Sequence, residues 1–286
     1  MAVRAPACDV PAIGTAERSA PLLADSARLL RRAYWCLRVG ASACFIGHGA
    51  FGVITKAAWV PYFAFAGLPA EWAYKLMPVV GTVDILVGIS VLLSPRPIVL
   101  LYMTIWALWT ALLRPLVGES PFEAMERAGN SGVPLALIFL LGRPRTLRNW
   151  FRTSLVDPDR EDRAGLVRVL TWTACLLLFG HGALAAITGK AVFAAHYATL
   201  GLPPTLAPLI GWAEMVVALL VVIRPGPGIL IGVVVWKMAT EALYPLSGAP
   251  IWEFVERAGS YAAPLALALL LIRANRARAT LGRSIK

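Results

Sequence analysis

Long apolar runs constrain this chain more than any other feature. "VVGTVDILVGISVLL" (79–93), "LALIFLLG" (135–142) and "ILIGVVVW" (229–236) lie within longer stretches that are almost free of charge. A run of about 20 residues, rising about 1.5 Å per residue as a helix, crosses a bilayer's hydrocarbon core. Lipid offers no partner for a backbone N–H or C=O, so each run is expected as a helix. Eight are expected, at 34–54, 75–93, 97–117, 121–141, 166–187, 205–223, 227–247 and 251–272. Only 15% of the 286 residues are charged, against about 25% in soluble domains. The expected fold class is all-α, a polytopic membrane protein of eight transmembrane helices embedded in the lipid bilayer.

The net charge of +11 raises nucleic acid as a partner, and its placement argues against one. Arginines crowd the segments before run 1, between runs 4 and 5 (Arg143, Arg145, Arg148, Arg152, Arg160, Arg163) and after run 8 (Arg273, Arg276, Arg278, Arg283). With eight crossings these segments share one side. That is the positive-inside bias, which places both termini in the cytoplasm. The cysteines Cys8, Cys36, Cys44 and Cys175 form no CxxC and read as small buried hydrophobes.

The chain also repeats itself. Residues 114–137 and 244–267 are identical at 12 of 24 positions, including "E-x-x-ERAG" and "PLAL". Trp106 then falls on Trp236, Thr110 on Thr240 and Asp84 on Glu214. Earlier, with a slightly larger offset, "FIGHGAFGVIT" (45–55) meets "LFGHGALAAIT" (178–188). The expected organisation is a flexible tail (1–27), a four-helix repeat (28–142), a basic linker (143–165), a second repeat (166–273) and a basic tail (274–286). Four crossings return the chain to its starting side, so the repeats are expected to be two parallel four-helix bundles.

Ionisable side chains inside apolar runs are costly and usually face the protein interior. The first half holds His48, Asp84, Arg114, Glu123, Glu126 and Arg127. The second holds His181, Glu214, Lys237, Glu241, Glu253, Glu256 and Arg257. Depth estimates put His48 level with Asp84, and His181 level with Glu214, one cluster per half. Ser120-Pro121-Phe122-Glu123 has the pattern of a capping box, with proline at the first helical position. Glu123–Arg127 and Glu253–Arg257 have the i,i+4 spacing of helical ion pairs. Pro134 and Pro264 are expected to kink run 4 and run 8. Lys237 and Glu241 have only Ala107 and Ala111 as counterparts. They form either a self-neutralising pair or a working site confined to the second half. His48 and His181 are open to two readings, a hydrogen bond to the neighbouring acid or ligation of a metal or haem.

These residues together resemble the DoxX/DoxD-like family of small bacterial membrane proteins. The resemblance rests on the arginine-flanked first run ending in "FIGHG", the aromatic segment containing "GLP", the acid in the second run and the "E-x-x-ERAG" opening of the fourth. It covers both halves, as a fused pair. It implies four-helix membrane bundles in a bacterial-type inner membrane. It also implies association with redox or respiratory systems, with a quinone as the expected ligand, a membrane redox partner or a second copy as the expected neighbour, and no defined catalytic residue. Two other functions stay open, a small-solute or proton-coupled transporter and a non-catalytic scaffold or assembly factor.

Overall fold

The computed structural model describes residues 13–153 and 158–284, so Cys8 lies outside the described residues. Their regular structure is helical: α1 (Ile13–Val53), α2 (Val60–Phe65), α3 (Ala70–Leu93), α4 (Pro97–Leu116), α5 (Pro121–Glu126), α6 (Ala128–Leu140), α7 (Leu147–Trp150), α8 (Arg160–Ala186), α9 (Ala191–Thr199), α10 (Leu206–Ile223), α11 (Pro227–Leu246), α12 (Trp252–Glu256) and α13 (Ala258–Ser284). A single 3-10 turn, Ala57–Trp59, precedes α2. Residues 13–27, expected as a flexible tail, form the start of α1.

Among the described residues, seven helical segments are long and apolar enough to cross a membrane: Ala24–Val53, Ala70–Leu93, Pro97–Leu116, Arg160–Ala186, Leu206–Ile223, Pro227–Leu246 and Trp252–Arg276. The expected fourth run is divided. α5 ends at Glu126 and α6 has 13 residues, about 20 Å of helix, which alone falls short of the hydrocarbon core. Outward-facing residues are strongly apolar. Leu86, Leu209 and Val235 are each more than 60% exposed, as befits a surface solvated by lipid tails. The chain is a helical, multi-pass membrane protein.

The two halves interleave instead of forming two separate bundles. α1 packs along α3 of its own half and along α12 and α13 of the other. α8 packs along α10 of its own half and along α5 and α6 of the other. The core runs continuously between them, from Leu37 and Phe45 through Val133 and Leu137 to Leu178, Leu170 and Leu267. Glycines permit the crossing. A Cβ at Gly47 would lie 2.4 Å from the Glu256 nitrogen, and one at Gly180 would lie 2.3 Å from the Glu126 nitrogen. The second glycine of each GHG faces its own half: a Cβ at Gly49 would meet the Gly81 carbonyl and one at Gly182 the Gly211 carbonyl, each at 2.4 Å. Each GHG thus wedges one helix between two others, with its histidine at the junction.

Candidate functional site

The break in the fourth run explains the "E-x-x-ERAG" motif. At Arg127 the backbone tightens: Arg127 N–H donates to the Ala124 carbonyl (3.2 Å) and Asn130 N–H to the Arg127 carbonyl (2.9 Å). The i+4 donor of the Glu123 carbonyl is thereby diverted, and Arg127 Nη1 takes its place at 2.9 Å. Nη1 also reaches Glu123 Oε2 (2.8 Å) and Glu126 Oε2 (3.0 Å). The second half repeats this. Arg257 Nη1 donates to the Glu253 carbonyl (2.9 Å), Glu253 Oε2 (2.5 Å) and Glu256 Oε1 (3.0 Å). The arginine is the cap of its own helix break, and both acids hold it there.

One expectation at this place is corrected. The Ser120 hydroxyl accepts from Phe122 N–H at 3.3 Å, but the reciprocal arm of a capping box is missing because Glu123 is committed to cations. The break in each fourth run falls at Arg127 and Arg257, and Pro134 and Pro264 lie inside α6 and α13. Flanking lysines complete the network across the halves. Lys56 Nζ lies 2.7 Å from Glu253 Oε1, and Lys190 Nζ lies 2.5 Å from Glu123 Oε1. Arg114 lies 3.0 Å from Glu119 and 3.6 Å from Glu123.

Two histidine sites adjoin this network. In the second half, His181 Nδ1 is 2.6 Å from Glu214 Oε2, and Trp236 Nε1 donates to Glu214 Oε1 at 2.5 Å. Lys237, 1% exposed, puts Nζ 2.6 Å from Glu241 Oε1, a contact ion pair without hydrogen-bond alignment. Arg257 Nε is 3.0 Å from Glu241 Oε2, and its guanidinium covers the Tyr244 ring at 4.1 Å. His196 meets Tyr244 edge-on at 4.4 Å. Glu126, His181 and Glu241 each offer a ligand atom within 4.8 Å of the others. A metal would suit that spacing, but Lys237, Arg257 and Arg127 already place protein cations on the two carboxylates. The second-half site thus holds its own counter-charges.

The first-half site has the same frame and a different interior. His48 Nδ1 is 2.9 Å from Asp84 Oδ2, and Trp59 stacks on the imidazole at 4.5 Å. Aspartate is one methylene shorter than glutamate. Asp84 Oδ1 and Trp106 Nε1 are both buried and without a hydrogen-bond partner. Ala107 and Ala111, both buried, stand where the second half has Lys237 and Glu241. A cavity of about 210 Å³ opens there. Trp59, Tyr62, Phe63, Trp106 and Trp109 form its aromatic wall, and His48, Arg114, Arg127, Asn130 and Glu256 its polar end. The site is composite, since Glu256 comes from the other half. Between the two sites lies a void of about 10 Å³ bounded by Glu126, Arg127, Glu241, Glu256 and Arg257. His48 and His181 pair with different acids, Asp84 and Glu214.

Outside the spanning helices the cavity has a hydrogen-bonded rim. The Tyr62 hydroxyl donates to Glu119, and burial pushes that phenol up to about 12. Burial alone would raise the Glu119 carboxyl. The Tyr62 hydroxyl and the Arg114 guanidinium outweigh it and hold the group below the usual carboxylate range.

Eleven of the thirteen residues singled out from the sequence are linked by direct contacts or by a shared cavity wall, and the His181–Glu214 pair joins them where His181 lies within 4.8 Å of Glu126 and Glu241. Lys56, Lys190, Tyr62, Glu119 and His196 were not among the residues singled out from the sequence. The signal for the lysines was present, because both follow the repeated "IT" that ends the first run of each half. No protein-family model, curated protein or solved structure matches the chain.

Proposed function

We propose that this protein is a DoxX-like, redox-associated membrane subunit that takes a small lipophilic ring of the quinone class into the first-half cavity. In this reading the chain crosses a bacterial-type inner membrane eight times, with α5 and α6 together as the fourth crossing. The halves are parallel four-helix repeats that exchange contacts through their first and fourth members, and both termini are cytoplasmic. The observation that carries the reading is the first-half cavity: aromatic on one side, with His48 and two arginines at its polar end. Aromatic walls with a few convergent polar groups are the usual form of a small-molecule site. A quinone-class oxygen exchanges protons when the ring is oxidised or reduced, with electrons supplied by a membrane redox partner. The His48–Asp84 pair is placed to trade those protons.

Charge counting supports a proton-holding role. The network contains Asp84, Glu119, Glu123, Glu126, Glu214, Glu241, Glu253 and Glu256 against Lys56, Arg114, Arg127, Lys190, Lys237 and Arg257. Two positive charges are missing. Buried charge does not stay unbalanced, and two protons, one on each histidine–carboxylate pair, would restore neutrality. The test is titration of a short-chain benzoquinone into the purified protein, read by tryptophan fluorescence, with mass spectrometry of co-purified lipids. Quenching lost in Trp59→Phe and His48→Ala, or a bound native quinone, supports the reading. Unchanged fluorescence and no bound ring sink it.

A second reading has one specific observation behind it. The fourth run is interrupted at equivalent positions in both halves, and paired discontinuous helices often mark transporter binding sites. Solute uptake into liposomes by a protein that binds no quinone would favour that reading.

A further inference from the structure

The halves share the residues around the ERAG arginine but not what lies beside it. Arg257 spends Nη1 on Glu253 and Glu256 and presents Nε to Glu241 at 3.0 Å. Arg127 spends Nη1 on Glu123 and Glu126 in the same way. Where Glu241 would meet its Nε, the first half has Ala111. Where Lys237 would stand, it has Ala107, which lines the cavity together with Arg127. Arg114 also lines the cavity and takes the sequence position of Tyr244.

We propose that the Lys237–Glu241 pair is a built-in occupant that closes the second-half copy of the site, and that the ligand of the first-half copy delivers an acceptor oxygen to Arg127 in the place Glu241 takes on Arg257. Recognition by the first-half cavity rests on the ring-binding reading above, while the chemistry demanded is wider: a carbonyl, phenolate or carboxylate oxygen on an apolar body. The unpartnered Trp106 Nε1 points the same way. Its counterpart, Trp236, donates to Glu214, whereas Trp106 is buried with its bond unmade. A ligand oxygen at the polar end supplies the acceptor that Trp106 lacks, beside the Arg127 guanidinium. The apolar body then lies against Trp59, Phe63 and Trp109.

The experiment grafts one half onto the other in the full chain, reconstituted in lipid nanodiscs. The probes are a short-chain benzoquinone, decanoate, and an alkylbenzene of matched size without oxygen. The wild type is expected to bind one equivalent of an oxygen-bearing probe, and the alkylbenzene about tenfold or more weaker, the loss of one charge-assisted hydrogen bond. Ala107→Lys/Ala111→Glu is expected to weaken the oxygen-bearing probe by about tenfold or more. Lys237→Ala/Glu241→Ala is expected to add a second equivalent, an arm that remains if the first graft fails to fold. Binding unchanged by the graft, an alkylbenzene bound as well as the quinone, or one equivalent in the opened variant would overturn the proposal. Decanoate bound without quinone, and lost in the graft, would retain the proposal and defeat the quinone reading. If no probe binds, both fall.

Discussion

The two histidine sites start from one plan and end in opposite states. In the second half His181 and Trp236 share Glu214, and Lys237 and Arg257 place their charges within 2.6 and 3.0 Å of Glu241, although Lys237 Nζ and both Glu241 oxygens make no hydrogen bond. In the first half a glutamate becomes Asp84 and the Lys–Glu pair becomes two alanines. The consequence is a cavity with the unmet Trp106 N–H on its wall. A cavity costs stability, so the first half trades stability for room. The second half reads as the filled reference copy.

The comparison is broken most forcefully by Lys237→Ala alone. It leaves the Glu241 carboxylate buried without its ammonium partner, at a cost of about 3–5 kcal/mol. The double variant Lys237→Ala/Glu241→Ala should cost clearly less, because it reproduces the first half. Unfolding in detergent, followed by circular dichroism, measures both. Equal losses in single and double would mean that the two residues do not act as a unit. Next come Gly47→Ala and Gly180→Ala, which should each destabilise by about 1–3 kcal/mol, since each added methyl meets backbone in the other half. A large asymmetry between them would contradict the reciprocal interleaving.

A smaller and sharper test exchanges the acids. Glu214→Asp should leave Trp236 without its acceptor and cost about 1–3 kcal/mol. Asp84→Glu should reach Trp106, stabilise the fold by about 1 kcal/mol and weaken ligand binding. The same thermal unfolding assay reads both, and effects of equal sign would refute the assignment. The smallest effect is in pH. Burial lowers the His196 pKa from 6.5, so its contribution is present above 6.5 and lost as pH falls through the folded value. The Glu119 pKa is lowered from 4.5, so its contribution is present above 4.5 and lost below it. Hydrogen exchange between pH 6.5 and 4.5 should therefore loosen α9 while the 117–120 turn holds. Loosening in the reverse order would contradict these environments.

Much of this architecture is legible in the sequence, and the limits have physical causes. Helical class, the twofold repeat and both histidine–acid pairs follow from run length, register and depth. The exchange between halves does not, because a repeat fixes which residues are equivalent and not which copy each one touches. Gly47 and Gly180 reveal it only once Glu256 and Glu126 are seen against them. The break at Arg127 has no proline at its centre. It is held by a side chain bonding to its own helix, and the i,i+4 spacing that suggested a plain ion pair concealed it. Ala107 and Ala111 have no polar side-chain atoms to mark them in the sequence, where they serve only as counterparts of Lys237 and Glu241. In the folded chain Ala107 lines the cavity.

The central claim is that the first-half cavity is the working site and the second-half copy is sealed. Its most direct test is an experimental structure of the protein soaked with a brominated short-chain quinone. The account predicts one bromine signal, between Trp59, Trp106 and Arg127. A signal beside Lys237 and Glu241, or none in either half at saturating ligand, would contradict it.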